Sequence, residues 1–592
     1  MASAYPSNPA TPPLATPRTS DESTFRIGAA LVLVAAAILY FARLGARALW
    51  SSEFRWAEIA REMLLTRNYF WPTINGHVYY DKPLGSYWLV TLSTPFTGGM
   101  NETAARLPCA IAGLLAVAFL MLLVRRLYDS RTAILSGFIL ATSFSFVFFS
   151  RHASADVETL TGELAALVLF ERYENRAGGP WVIGLWLIMA ATSLTKGLLG
   201  FALPILVIGA FSCLKDGWRG LADGIGRGAL RERWRWLVSH NLWFFNWYSV
   251  PAIVLGIAVY AAPFEISNRL MGSEKGLAMV YRENVVRFFH PFDHRGPIYL
   301  YVYVIFALMA PWSAMLPAAL VETHQRRRLH DEPARSDRFA LVYFWATFLF
   351  FTLSGSRRSY YILPILPAAA ILVARTLVFS ADLCSTFAGR LLKLGYAVIA
   401  IAAVFGIAML IPASLILPGK LAQFPSMPDK FVFLVFWILS VTGVFYAVRK
   451  FSPARAALSM GIIAYGLLAY IYIFAMPAAE SYRGEKRFAR ATIEKTGNRV
   501  DQIAMFRTQG PLFYLDPPKP TPWFQKKQDL LDAINRGEVR WFIARQRDIP
   551  QLGLPTTLEV SEATYPWETE YNLRNKIQLM RVEGGGTPPP AQ

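Results

Sequence analysis

The chain has 592 residues, 54% hydrophobic and only 17% charged, with 17 Trp, 26 Tyr and 41 Phe; average soluble chains carry about a quarter charged residues, so this balance belongs to a polytopic membrane protein. The net charge of +19 reads as basic loops facing anionic lipid and not as a nucleic-acid footprint. Three scattered cysteines, Cys109, Cys213 and Cys384, give neither a disulfide framework nor a zinc site.

Residues 1–26, rich in Pro, Ser, Thr and Ala, read as a disordered cytoplasmic tail. The first apolar run starts at Ile27 and has no small-residue cleavage site after it, so an uncleaved first span is expected. Runs of about 15–24 mostly apolar residues can cross as helices. They lie near 27–43, 107–124, 133–150, 157–171, 179–194, 198–213, 242–262, 298–321, 339–354, 360–379, 394–416, 431–448 and 456–477, which makes about 13 transmembrane helices. The stretch "LGSYWLVTLSTPFTG" at 84–98 is short and carries hydroxyls, glycines and a proline.

Loop charge settles that stretch. The most basic connections are 214–241, with Lys215, Arg219, Arg227, Arg231, Arg233 and Arg235, and 324–338, with Arg326, Arg327, Arg328, Arg335 and Arg338. Both belong in the cytoplasm, as do "RRLYDSR" at 125–131 and "RKFSPAR" at 449–455. Thirteen spans and a cytoplasmic N-terminus satisfy all four. Residues 84–98 are therefore expected as a helix on or dipping into the outer surface. Residues 27–479 are expected to form the transmembrane domain, with outer loops 44–106 and 263–297. Trp and Tyr favour the headgroup level, so the aromatic-rich stretch 54–88 is expected to lie on the membrane.

After the last span, charge density rises and short apolar runs at 501–506, 539–545 and 576–582 read as strands. Between two of them "FQKKQDLLDAINRG" reads as a helix stopped by Gly537. Residues 480–583 are thus a small α/β domain on the outer, periplasmic face, and 584–592 a flexible tail. The fold class is an all-α polytopic membrane protein with a small C-terminal α/β domain.

Ionisable residues at span ends gather on that outer face, and such residues mark a functional site by default. The ordered motifs there are "SEFRWAEIAREM" at 52–63, "NGHVYYDKP" at 75–83, Asp156, "TKG" at 195–197, "ENVVRF" at 283–288, "HRGPIYLYVYV" at 294–304, "PWSAMLPAAL" at 311–320 and "YILP" at 361–364. Over about 350 residues this series resembles the polyprenyl-phosphate-sugar glycosyltransferase family that includes protein O-mannosyltransferases and the bacterial lipid A aminoarabinose transferase. The aminoarabinose branch is the nearer one. The resemblance implies a GT-C fold with an outer C-terminal domain and an inverting glycosyltransferase of the inner membrane with its active site facing the periplasm. It implies an undecaprenyl-phosphate-linked sugar donor and, as acceptor, lipid A, lipopolysaccharide or a related glycolipid. Alternatives are a protein O-glycosyltransferase and a non-catalytic lipid-binding or transport relative. Transporters bury ionisable groups near the midplane and show repeated halves, and neither pattern is evident here. No cofactor or nucleic acid is expected, and the chain is expected to act as a monomer.

Transfer from a lipid phosphate leaves developing negative charge on that phosphate, which fixed Lys and Arg side chains stabilise. The candidates are Lys82, Arg55, Lys196, Arg287, Arg295, Arg357 and Arg358, with Tyr361 as a hydroxyl donor. For Lys196 and Arg287, snorkelling to the interface is an equal reading. Arg357 and Arg358, adjacent on the outer side, are expected to hold a phosphate or pair with an outer carboxylate. Asp156 and Glu53 are the candidate general bases, and for Asp156 the bland reading is a charge favoured at a helix N-terminus. Asp81, Glu283 and His290 complete the pocket. The seven histidines form no metal motif. His290 and His294 read as interface packing or phosphate contacts.

Ser52 departs from the family, whose members carry an Asp-Glu pair where this chain reads Ser52-Glu53. Ser52 is expected to cap a helix over 53–66. Either Glu53 takes the base role, or Asp156 suffices, or the acceptor is already ionised and needs no base.

Overall fold

The computed structural model describes residues 19–408 and 453–583 together with 438 and 442, apart from 51, 177, 227–229, 292–293, 330–334, 381–382, 384–385, 481–483, 498 and 565–567. The expected span 431–448, the end of 394–416, most of 449–455, Cys384, the first part of the tail and the segment 584–592 lie outside the described residues apart from 438 and 442.

The chain is mostly helical, with a small sheet near its C-terminus. Helix α1, Thr19–Phe41, starts before the first apolar run. Residues 19–26 thus extend the helix and do not belong to the expected tail. Asp21 and Glu22 lie in its first turn, where the helix dipole favours acids, and Glu22 pairs with Arg26 and with Arg125. Next come α2, Glu53–Thr66, and α3, Gly85–Ser93. They are followed by α4, Glu102–Leu127; α5, Ser130–Ala141; and α6, Phe144–Ser150. The series continues with α7, Asp156–Tyr173; α8, Trp181–Lys196; and α9, Leu199–Leu214. Helix α7 packs between α4 and α8, and its inward face, with Leu160, Leu164, Leu167 and Phe170, lies in the main apolar core.

Among the described residues, four helices are long and apolar enough to cross a membrane: Asp21–Phe41, Glu102–Leu127, Ser249–Met271 and Ser459–Ala478. Two expected spans are broken. Residues 133–150 form α5 and α6, bent by 67°. Residues 298–321 divide into Leu300–Leu308, a tight turn Trp312–Met315 and a helix Leu316–Leu329. Pro311 supplies no N–H at the second break. The two breaks satisfy each other: Phe144 N–H donates to the Ala310 carbonyl at 3.0 Å, Ser145 Oγ to the Leu308 carbonyl at 2.7 Å, and Trp312 Nε1 to Thr142 Oγ1 at 2.9 Å. Non-helical backbone within an apolar segment is tolerable where it is buried in protein.

The expected span 242–262 is shifted to Ser249–Met271. Asn246 causes the delay: its side chain donates to the Leu242 carbonyl at 2.8 Å and accepts from Tyr248 N–H at 3.0 Å. Asn competes with helix through such local bonds. Residues 84–98 form the short helix α3 and one further turn; its buried face, Tyr87 and Val90, belongs to a second apolar cluster shared with the C-terminal segment.

That segment holds a five-stranded sheet in the order β4-β3-β5-β7-β6. Its strands are β3 Ile503–Phe506, β4 Trp523–Phe524, β5 Trp541–Arg545, β6 Thr556–Ser561 and β7 Ile577–Val582. A two-residue hairpin, β1 Thr73–Ile74 with β2 His77–Val78, lies earlier in the chain. β3 pairs in parallel with β4 and β5, and β7 antiparallel with β5 and β6. The three expected strands correspond to β3, β5 and β7. The expected helix runs from Lys527 to Asn535 and is followed by Gly537 at φ +76°. The sheet domain rests on the loop 44–106. Asn75 Nδ2 donates to the Thr521 carbonyl at 2.9 Å, Thr521 N–H donates back at 2.8 Å, and Tyr514 Oη accepts from Leu49 N–H at 2.6 Å.

Candidate active site

Helix α8 ends at Lys196 because Gly197 follows it at φ +101°, a conformation open to Gly and costly for other residues. A Cβ at Gly197 would also lie 2.4 Å from Asn284 Oδ1. That oxygen accepts from Leu198 N–H at 2.8 Å. The Lys196 end of α8 is thereby docked on a π-helical turn, Tyr281–Val286. Such turns recur at functional sites. This one carries Glu283, and Arg287 follows it.

Lys196 Nζ pairs with Asp156, the first residue of α7, and sits 5.2 Å from the centre of the Tyr361 ring. Both charged side chains are nearly buried, 14% and 8% exposed. Glu283 Oε2 faces two cations, Lys82 Nζ at 3.6 Å and Arg287 Nη1 at 2.6 Å. Lys82 also donates to the Asp81 carbonyl at 2.9 Å, and the Asp81 carboxylate faces Arg55 at 3.3 Å. Arg55 donates to Tyr79 Oη at 2.7 Å. The Tyr361 hydroxyl feels the charges of Lys196, Arg287 and Arg358. Eight of the sequence-nominated residues, Asp156, Lys196, Tyr361, Glu283, Arg287, Lys82, Asp81 and Arg55, thus form one constellation. Within its inner part three cations, Lys82, Lys196 and Arg287, face two carboxylates, Asp156 and Glu283. Partly buried in this way, a cation is worth far more to an incoming anion than in water.

The other nominated residues sit elsewhere. Glu53 is buried and takes both Arg106 Nε and Nη2 at 2.7 Å, Trp50 N–H at 2.9 Å and Ala153 N–H at 3.0 Å. His152 Nδ1 lies 3.4 Å away. Burial alone would raise this carboxyl; the Arg106 hydrogen bonds and charge overcome it and hold Glu53 at about 2. Arg357 donates to the Thr352 carbonyl at 3.2 and 3.0 Å and to the Gly296 carbonyl at 2.8 Å, backbone groups rather than the outer carboxylate that was one of its two expected partners. Arg358 is exposed and donates to Tyr360 Oη at 2.7 Å. Arg295, exposed, donates to the Pro291 carbonyl at 2.9 Å, and His290 is exposed.

Ser52 does not cap α2 as expected. Its backbone is already helical, φ −74° and ψ −18°, and its side chain makes no cap hydrogen bond. Capping needs an extended residue whose oxygen reaches forward. Oγ instead lies 3.4 Å from His152 Nε2.

Sequence reasoning passed over four residues that shape the site. Arg106 neutralises Glu53, Asn284 docks Lys196, and Ser86 and Glu158 lie under the end of α8. Asn284 stands within the quoted "ENVVRF", but spacing alone does not tell a docking amide from a loop residue. A separate cavity of about 250 Å³ opens beside α2, lined by Arg61, Glu62, Trp71, Asn75, Met271 and Lys519 among others. It contains no member of the constellation. Among the described residues, no group of three or more His, Cys, Asp or Glu is placed to hold a metal ion.

Comparison with known proteins gives four findings. The sequence pattern of the dolichyl-phosphate-mannose-protein mannosyltransferase family matches residues 81–226. An uncharacterized protein of Aquifex aeolicus is 31% identical over 349 residues, 58% of this chain and 62% of that protein. The undecaprenyl phosphate-alpha-4-amino-4-deoxy-L-arabinose arabinosyl transferase of Pseudomonas aeruginosa is 27% identical over 383 residues, 63% of this chain and 64% of the relative. The matched region therefore spans less than two thirds of the length of these two relatives. In fold, the crystal structure of ArnT from Cupriavidus metallidurans bound to undecaprenyl phosphate superposes with a TM-score of 0.66 at 19% identity, covering 94% of this chain and 99% of that one. In sequence the chain is thus similar to the protein mannosyltransferases over residues 81–226 and to an aminoarabinose transferase over 383 residues, and its fold resembles that of ArnT.

Proposed function

We propose that the protein is an inverting glycosyltransferase that moves a sugar from an undecaprenyl-phosphate-linked donor to lipid A, lipopolysaccharide or a related acceptor. The observation that carries this is the nearly buried cluster in which Lys82, Arg287 and Lys196 gather around Glu283 and Asp156. A donor phosphate entering there meets Lys82 and Arg287, which share the Glu283 carboxylate. Arg287 supplies the fork that suits phosphate oxygens. The same phosphate competes with Asp156 for Lys196, and a carboxylate released from that pair is placed to take a proton from the acceptor. Glu53 is a poor base in this reading: four N–H donors saturate its oxygens, and a group held near 2 gives little proton affinity. Its role is to hold α2, the loop 44–48 and the turn before α7 together. Arg357 staples a loop through backbone carbonyls, and Arg295, Arg358 and His290 are left for the mouth of the site.

The finer topology belongs to the same proposal. About thirteen spans place 44–106, 263–297 and the 480–583 domain on the periplasmic side of the inner membrane, with the chain acting as a monomer. The contacts between Asn75 and Thr521 and between Leu49 and Tyr514 support a common side for the first loop and the sheet domain. A second reading, transfer to protein hydroxyls, is favoured by the description of the family matched at 81–226. Mass spectrometry of lipid A and of periplasmic glycoproteins, with and without the protein, separates the two. A sugar increment on lipid A supports the first, an increment on protein the second, and no increment on either contradicts both.

A further inference from the structure

Glu158 lies two residues beyond Asp156 on α7 and is buried. Among the described residues, no ion pair involves it. Its one close hydrogen-bond partner is Ser86 Oγ, at Oε2, with the Cys109 thiol 4.0 Å from Oε1. That thiol is better served by the Ser154 carbonyl at 3.0 Å. An ionised carboxylate out of water needs several donors or a cation, and among the described residues Glu158 has neither. The hydrogen count points the same way. Ser86 Oγ also lies 3.2 Å from the carbonyl of Thr195, one of the last carbonyls of α8, which a helix end leaves without an internal partner. One hydroxyl proton faces two acceptors. Both contacts are satisfied only if Glu158 carries a proton, donates to Ser86 Oγ, and Ser86 donates onward to Thr195.

A second observation ties this link to the end of α8. Gly85, at the start of α3, comes so near the end of α8 that a Cβ there would lie 2.6 Å from the Leu194 carbonyl oxygen. Thr195 Oγ1 also lies 3.1 Å from Thr159 Oγ1 on α7. The backbone just before Lys196 is therefore clamped between α3 and α7. We propose that Glu158 is a positioning residue, held as a neutral acid, which through Ser86 and the Thr195 carbonyl fixes Lys196 against Asp156. The role assigned to Lys196 rests on the glycosyltransferase reading; the clamp itself does not.

The test uses the full-length protein in lipid nanodiscs, with undecaprenyl phosphate as the binding probe, sugar transfer as a second readout and infrared difference spectroscopy as a third. Glu158→Gln keeps a donor toward Ser86, so probe affinity and transfer should stay within a few-fold of wild type. Glu158→Ala and Ser86→Ala remove the link and should each weaken both by about tenfold to a hundredfold, the scale of a 1 Å misplacement. The infrared difference between wild type and Glu158→Gln should contain the band of a protonated carboxyl. Glu158→Gln as damaged as Glu158→Ala, or no protonated carboxyl band in that difference, overturns the proposal, and the spectrum decides even if the alanine variants fail to fold. Wild-type behaviour of folded Glu158→Ala overturns it too. If probe binding follows this pattern while no variant, nor wild type, transfers sugar, the clamp stands and the glycosyltransferase reading fails.

Discussion

Arg106→Met keeps the length of a buried side chain and removes its charge. Arg106 is 4% exposed. It donates twice to Glu53 at 2.7 Å and to the carbonyls of Leu44, Arg47 and Ala48 at 3.0, 2.9 and 3.0 Å. Removing one partner of a buried pair leaves an uncompensated charge and costs about 3–5 kcal/mol. The pH dependence gives an independent scale. Burial pushes the Glu53 carboxyl up, but Arg106, with help from His152 and the Ala153 N–H, lowers it from 4.5 to about 2. The folded value lies below the unfolded one, so the pair's stabilisation is fully present above pH 4.5 and is lost as pH falls toward 2. A shift of that size corresponds to about 3 kcal/mol. The assay is the thermal midpoint of the purified protein from pH 7 to pH 3. Wild type should lose stability steeply below pH 4.5. Arg106→Met should start lower at pH 7 and converge on wild type as Glu53 takes up a proton. Parallel curves with a constant gap, or a variant as stable as wild type at pH 7, would refute the reasoning.

Gly197→Ala places a methyl 2.4 Å from Asn284 Oδ1 at a positive φ, so it should displace Lys196 and cut transfer at least tenfold; transfer kinetics at matched protein levels check this. Arg357→Ala removes three bonds to backbone carbonyls and should lower the thermal midpoint, whereas exposed Arg358→Ala should leave it within the small range of surface substitutions. Reporter fusions after Thr97 and after Gln592 should report the same, outer side; a cytoplasmic signal from either breaks the thirteen-span topology.

Much of the constellation was legible because the residues that carry it are unusual where they stand. A lysine just before a glycine at a span end, an acid opening the next helix inward and an Arg-Glu pair four apart are conspicuous in an apolar chain. Their partners were less so. Asn284, Ser86 and Arg106 act through contacts 53 to 109 positions apart in sequence, which periodicity does not encode. The cap assigned to Ser52 failed for a similar reason: His152, 100 residues on, draws the hydroxyl while the backbone at Ser52 has already turned helical. Span lengths were misjudged where backbone groups freed by a break found partners in another break, as Phe144 and Ala310 do. Hydropathy averages across such breaks and reports one continuous segment.

The most direct test of lipid-linked sugar transfer is a reconstituted reaction of the purified protein with an undecaprenyl-phosphate-linked sugar and lipid A, read as release of undecaprenyl phosphate together with glycosylated lipid A. Lys82 and Arg287 share one carboxylate oxygen, so Lys82→Ala should abolish most of the release while leaving the thermal midpoint close to wild type. Release that is undiminished in folded Lys82→Ala, or absent from wild type with every lipid and protein acceptor offered, would contradict the account.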